Sequence, residues 1–102
     1  MKRESIIECL EPLASIKKWS EISSNSDLVN AAVLVPLVKR DQWYVLLTQR
    51  SEHLNNHAGQ VSFPGGKADK QDNTPTDTAL RETEEEVGIS EGLIEVVGVI
   101  EP

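Results

Sequence analysis

GGKADKQDNTPTDTALRETEEEVGI, from Gly65 to Ile89, carries a glycine pair and then four glutamates within the five positions 82–86. Thr74 is placed to cap a helix, Pro75 suits its first position, and Asp77 stands where a capping-box acid belongs. Gly88, after Val87, is a natural stop. The spacing predicts a helix over residues 75–87. At about 100° per residue, Leu80, Thr83 and Val87, with Thr76 among them, share an arc of roughly 60° that predicts the core-facing stripe. Glu82, Glu85 and Glu86 share a second arc of about 100°, nearly opposite, and Glu84 is a solvent-facing flank.

Like charges at helical spacing repel by a few tenths of a kcal/mol for each i,i+4 pair, so something must offset that repulsion. One reading is a solvated acidic face, which is what most charge runs are. The other is a divalent-cation site. Mg²⁺ and Mn²⁺ prefer hard oxygen ligands, and three convergent carboxylates would bind such an ion. The Gly65-Gly66 pair adds a place where backbone approaches a ligand closely and a carbonyl can serve as a further oxygen ligand. A glycine pair is also common in ordinary turns, and both readings stand on these residues alone.

Upstream, Ala31–Val38 (AAVLVPLV) is an apolar run of branched residues that predicts a strand buried on both faces, with Pro36 marking a bulge or free edge. Arg40–Gln42 turns the chain, and Trp43–Arg50 makes a second strand of a hairpin. Ser51–Gly66 lacks periodicity and is rich in punctuation, as functional loops are. Ile6, Leu10, Leu13 and Ile16 recur at helical spacing, interrupted by Pro12, which kinks the segment or starts a second short helix. Ser20–Asp27 reads as a loop. Downstream, Leu93–Pro102 begins a further strand, apolar on both faces and expecting cover on both.

The 102 residues make one small domain, with 38% hydrophobic and 26% charged residues. A net charge of −7 without a basic block argues against a nucleic-acid partner. Nothing is long enough to span a membrane. Met1-Lys2-Arg3 is followed by Glu4, Glu8 and Glu11 rather than an apolar run, so no signal peptide is read. The single cysteine, Cys9, fits a reducing compartment and predicts a small buried side chain in the N-terminal helix. A cytoplasmic protein is the simplest expectation.

Gly66, five residues, Asp72, eight residues and then Arg81–Ile89 (RETEEEVGI) closely resembles the signature of the Nudix hydrolases. That signature has Glu where this chain has Asp72, and seven residues before the Arg where this chain has eight. The resemblance implies an α/β fold, the α/β/α sandwich of that family around a mixed β-sheet, and Mg²⁺- or Mn²⁺-dependent cleavage of a diphosphate linked to another group. It implies that Glu82, Glu85 and Glu86 are metal-binding and catalytic carboxylates, with one of them or a residue further along helping to deprotonate the attacking water. Gly66 would complete the metal shell through its carbonyl. Arg81 would pair with a glutamate and orient it, and Asp72 matches the first acid of the motif with a shorter reach.

Leu46–Lys67 (LLTQRS…HAGQVSFPGGK) resembles the segment that marks the coenzyme A diphosphatase branch, whose reaction yields 3′,5′-ADP and 4′-phosphopantetheine. On that resemblance Arg50, Gly59, Phe63, Gly65 and Lys67 are the substrate-binding candidates, and a small diphosphate of the coenzyme A type is the partner. One departure bears on substrate choice: the branch has an arginine where this chain has Asn55. His57 fits the branch pattern as a loop-shaping hydrogen-bonding residue, since imidazole suits Mg²⁺ poorly. His53 reads as an exposed loop residue. Another nucleoside diphosphate derivative is the alternative substrate. The family fold continues beyond the strand at Leu93–Ile100, so residues 1–29 read as an N-terminal helical segment and loop, and residues 30–102 as an incomplete domain. That reading predicts an open sheet edge, self-association through it, low stability, and an inactive or weakly active fragment.

Overall fold

The computed structural model describes residues 2–22, 30–49 and 59–100. Its elements, in chain order, are α1 (Arg3–Glu8), β1 (Ala31–Val33), β2 (Leu37–Lys39), β3 (Trp43–Val45), β4 (Thr48–Gln49), β5 (Val61–Ser62), β6 (Gly65–Lys67) and α2 (Pro75–Val87). Short 3₁₀ turns lie at Leu13–Ser15, Trp19–Glu21 and Glu91–Leu93. The α/β class is as expected.

α2 begins and ends where its cap residues dictate. The Thr74 hydroxyl accepts from the Asp77 N–H (3.1 Å), while the Asp77 carboxylate accepts from the N–H groups of Asn73 and Thr74, both at 3.1 Å. Two otherwise orphaned donors are satisfied at the end of the helix where an acid also suits the dipole. At the other end Gly88 takes φ 73°, and its N–H donates to the Glu84 carbonyl at 2.9 Å. Left-handed backbone is open to glycine without a Cβ penalty.

Three antiparallel ladders form among the described residues: β1 with β6, β2 with β3, and β4 with β5. The predicted hairpin is present, with Leu37↔Val45 and Lys39↔Trp43 in register. The single buried strand expected over Ala31–Val38 is not. It divides around Pro36 into β1 and β2, which pair with different partners, and Val33 and Val38 are both exposed. Pro36 has no N–H to give a ladder, but its carbonyl accepts from Leu46 N (3.1 Å), so it falls where the chain changes partners. Trp43–Arg50 divides likewise into β3 and β4, with Arg50 outside the described residues.

α2 packs on β1 and β6. Its buried residues are Thr78, Ala79 and Thr83; of the predicted stripe Thr83 is buried as expected, while Leu80, Val87 and Thr76 are only half-buried. Small side chains let the helix approach the glycines of β6, and larger apolar ones are displaced to its flank. On the helical wheel Glu82 lies between Thr78 and Ala79, about 40° from one and 60° from the other. The acidic face is therefore not opposite the core. Its first member points at the sheet.

The expected strand over Leu93–Ile100 is reduced to a bridge between Val99 and Glu11, closed by hydrogen bonds of 2.9 and 3.0 Å. Among the described residues no strand lies beside it to extend a ladder. Contact with the N-terminal segment is close: a Cβ on Gly98 would stand 2.6 Å from Leu10 Cβ. The Arg3 guanidinium also pairs with the Glu95 carboxylate across the surface. Pro12 caps the 3₁₀ turn at Leu13–Ser15, as its fixed φ favours. Cys9 is exposed rather than buried, because α1 stops at Glu8 and is too short to cover it. No helix among the described residues is long and apolar enough to cross a membrane.

Candidate active site

The loop that leads into α2 is organised around Asp72, whose side chain is 3% exposed. One of its oxygens accepts from the Asp69 N–H (2.9 Å) and the Thr78 hydroxyl (3.0 Å). Arg81 completes the shell: Nε stands 3.1 Å from Asp72 Oδ1, and Nη2 stands 2.9 Å from Oδ2. The guanidinium hydrogen bonds are the largest influence holding the Asp72 carboxyl at about 2, against the opposing cost of its burial. Arg81 is correspondingly pushed further above its usual range, chiefly by Asp72. Asp72, shorter than the glutamate of the motif it resembles, thus reaches the arginine directly.

Arg81 spends its remaining donors in two directions. Nη2 donates to the Lys67 carbonyl at 2.9 Å, tying α2 to the end of β6. Nη1 stands 3.1 Å from Glu82 Oε1 and 3.1 Å from Glu85 Oε1. The structure thereby brings Glu82 and Glu85 together across one guanidinium, whereas Glu86 is exposed on the same helix and takes no part in these contacts. Among the described residues no three His, Cys, Asp or Glu side chains are already gathered as a metal shell.

Gly66 is where helix and sheet meet the carboxylates. A Cβ there would stand 2.6 Å from the Glu82 carboxyl carbon, so any side chain at this position would push that carboxylate off the strand. In the β1–β6 ladder, Leu34 N donates to Pro64 O and Ala68 N to Asn30 O, both at 2.8 Å. Ala32 and Gly66, paired midway between them, therefore form the hydrogen-bonded pair of the antiparallel alternation. Their ladder bond uses one lone pair of the Gly66 carbonyl and leaves the second. Gly65 faces Val33 in the closer, non-bonded pair, where a Cβ would lie 2.3 Å from Ala32 O. Its need for glycine is backbone contact with β1.

The donor set fits a divalent cation. Asp72, Glu82 and Glu85 against Arg81 leave two formal negative charges, before Glu86 is added. All the candidate ligands are hard oxygens, on a helix face and a strand that touch. Of the substrate-binding candidates, Gly59 adopts φ 75° and its carbonyl accepts from Gln49 Nε2 at 3.2 Å. Phe63 and the Lys67 side chain are exposed near the ends of β5 and β6. Arg50, His53, Asn55 and His57 lie outside the described residues. The sequence reading missed Thr78 and Trp19: the indole Nε1–H donates to the Thr78 hydroxyl at 2.9 Å, and that hydroxyl donates to Asp72. A tryptophan 59 positions from its partner leaves no local pattern to find.

A capped helix carrying RETEEEVGI on a glycine-containing strand is the core of a Nudix domain, and the NUDIX domain profile matches residues 28–102. The chain belongs to that family. It is 55% identical over 80 residues to a protein of Yersinia enterocolitica named uncharacterized Nudix hydrolase NudL, covering 78% of this chain and 40% of that one. Proteins of the same name from Escherichia coli K12 and Escherichia fergusonii are 57% identical over 72 residues, covering 71% of this chain and 38% of theirs. The chain thus spans about two-fifths of the length of these relatives.

Proposed function

We propose that this chain carries the site of a divalent-cation-dependent diphosphate hydrolase whose substrate is coenzyme A or a derivative, cleaved to 3′,5′-ADP and 4′-phosphopantetheine. The observation that carries the reading is the Glu82 carboxylate seated against Gly66 and linked to Glu85 through Arg81. The resemblance of Leu46–Lys67 to the coenzyme A diphosphatase segment supports the substrate, and the relatives' shared name supports hydrolysis only. Glu82, Glu85, Glu86 and the free lone pair of the Gly66 carbonyl would hold Mg²⁺ or Mn²⁺. Such an ion supplies an activated water and charge stabilisation at the phosphates. Arg81, braced by Asp72, keeps two of the carboxylates adjacent and offsets part of their repulsion. Arg50 and Lys67 would supply cations toward an anionic substrate, and Gly59, Phe63 and Gly65 are the further substrate-binding candidates. A small-molecule partner and a cytoplasmic setting belong to the same proposal.

Asn55, standing where the branch has an arginine, favours a second reading in which another nucleoside diphosphate derivative is used. Product analysis decides between them, with coenzyme A, a dinucleotide and a nucleotide sugar each incubated with Mg²⁺, Mn²⁺ or a chelator. The expected result is 3′,5′-ADP and 4′-phosphopantetheine from coenzyme A, and no hydrolysis in chelator. Turnover of only the other substrates supports the second reading. Equal rates with and without chelator sink the cation site.

A further inference from the structure

Trp19 lies outside residues 28–102, which the NUDIX profile matches, yet it is tied to the site at two points. Its backbone N–H donates to the Asn73 carbonyl at 2.7 Å, and its indole N–H donates to the Thr78 hydroxyl at 2.9 Å. We infer that Trp19 is a positioning residue for the cation site, acting through Thr78 and Asp72 on the Arg81 guanidinium that holds Glu82 and Glu85 together.

The chain of contacts has a direction. The Thr78 hydroxyl has one proton and two acceptors near it, Asp72 Oδ2 at 3.0 Å and the Thr74 carbonyl at 3.4 Å. Donation from the indole into a hydroxyl lone pair polarises that O–H and strengthens its own donation. The proton goes to the nearer, charged acceptor. Thr78 is fully buried, so its hydroxyl relies on these partners and not on solvent. Asp72 Oδ2 is then fixed by the Asp69 N–H, the Thr78 O–H and Arg81 Nη2 at once. With the guanidinium plane pinned on its Asp72 side and by the Lys67 carbonyl, Nη1 has one place to stand, between Glu82 and Glu85. The N-terminal segment thereby reaches the carboxylates without touching them.

This inference rests on the proposed cation site for its consequence, but its test begins without metal. In the metal-free chain, NMR follows water exchange of the Arg81 Nε–H in the native protein and in Trp19→Phe, Thr78→Val and Thr78→Ser. Exchange is expected to quicken about five-fold in Trp19→Phe and Thr78→Val, the size of one lost hydrogen bond, and to stay native in Thr78→Ser. Backbone amides of α2 keep their protection. Unchanged Arg81 exchange in Trp19→Phe, or an equal loosening of the α2 amides, overturns the inference and leaves Trp19 a mere anchor. Should Trp19→Phe fail to fold, the Thr78 pair decides, and equal rates in Val and Ser overturn it. Mn²⁺ titration is the second arm, with affinity expected about five-fold weaker in Trp19→Phe. An unchanged affinity despite faster exchange breaks the link to the carboxylates. A native chain that binds no Mn²⁺ sinks the proposed function, and the exchange rates alone then decide the role of Trp19.

Discussion

The approach to α2 and the β2–β3 hairpin are built on opposite terms. Around Asp72 and Thr78, polar groups are buried and each has partners; among the described residues no buried side-chain polar atom lacks one. In and beside the hairpin, apolar side chains stand in solvent: Val38, Tyr44, Val45 and Leu47 are all exposed. Among the described residues Ala79 and Pro64 are the only buried apolar ones. The cleft between α1, the hairpin and residues 89–97, about 390 Å³ and lined by Ile6, Leu34, Trp43 and Ile94 among others, holds the apolar surface that elsewhere would make a core. The contrast teaches that order here is concentrated at the candidate site. Directional hydrogen bonds fix the cap, Asp72 and Arg81, and α2 covers the β1–β6 ladder, while the β2–β3 and β4–β5 ladders are short and largely exposed.

The sharpest test of that contrast is chemical. In a protein that carries the whole domain, Glu85→Gln and Glu86→Gln are each expected to lower hydrolysis on the order of a hundred-fold or more, since an activating ion is worth several kcal/mol, with the fold left intact because both side chains are exposed. Near-native turnover in both, at saturating Mg²⁺, would return the acidic face to ordinary solvated surface.

The glycine pair comes next. Gly65→Ala drives a methyl into Ala32 O and Val33 Cα, which are backbone, and should cost about 3 kcal/mol in denaturant unfolding. Gly66→Ala meets only the end of the flexible Glu82 side chain, so about 1 kcal/mol is expected, together with weaker Mn²⁺ binding. Equal costs for the two would show that Glu82 is not seated as described.

Asp72→Asn is expected to cost about 2 kcal/mol at neutral pH, with the gap to the native chain closing as pH falls. The folded carboxyl is held at about 2, below its ordinary 3.8, so the native fold binds its proton less well than the unfolded chain does. Its stabilisation is therefore present above about pH 4 and is lost as pH falls toward 2. Parallel acid-melting curves for the two proteins would contradict this. The smallest effect belongs to the hairpin. Val38→Thr, on an exposed strand face, should stay within about 0.5 kcal/mol. A larger loss would mean the hairpin face is covered in solution.

α2 was legible because its determinants are local. Thr74, Pro75, Asp77 and Gly88 act within one or two turns, and their geometry is what their residue types predict. The motif Gly66, Asp72, Arg81–Ile89 was legible for the same reason, as a spacing along the chain. The sheet was misread at Pro36 and after Leu93, because strand existence depends on a partner the strand's own residues do not name.

What the sequence by itself determined, then, is the helix, its caps, the hairpin turn and which carboxylates share a face. Tertiary structure alone decided what that face meets. Helical periodicity placed the core under Leu80, Thr83 and Val87, with Thr76 among them, and of these only Thr83 is buried. α2 instead packs on β1 and β6 with the small residues Thr78, Ala79 and Thr83 buried, and Glu82 stands inward against Gly66. The indole of Trp19 reaches Thr78 for a related reason. A buried hydroxyl beside a buried carboxylate needs a donor from somewhere, and only the folded chain can say from where.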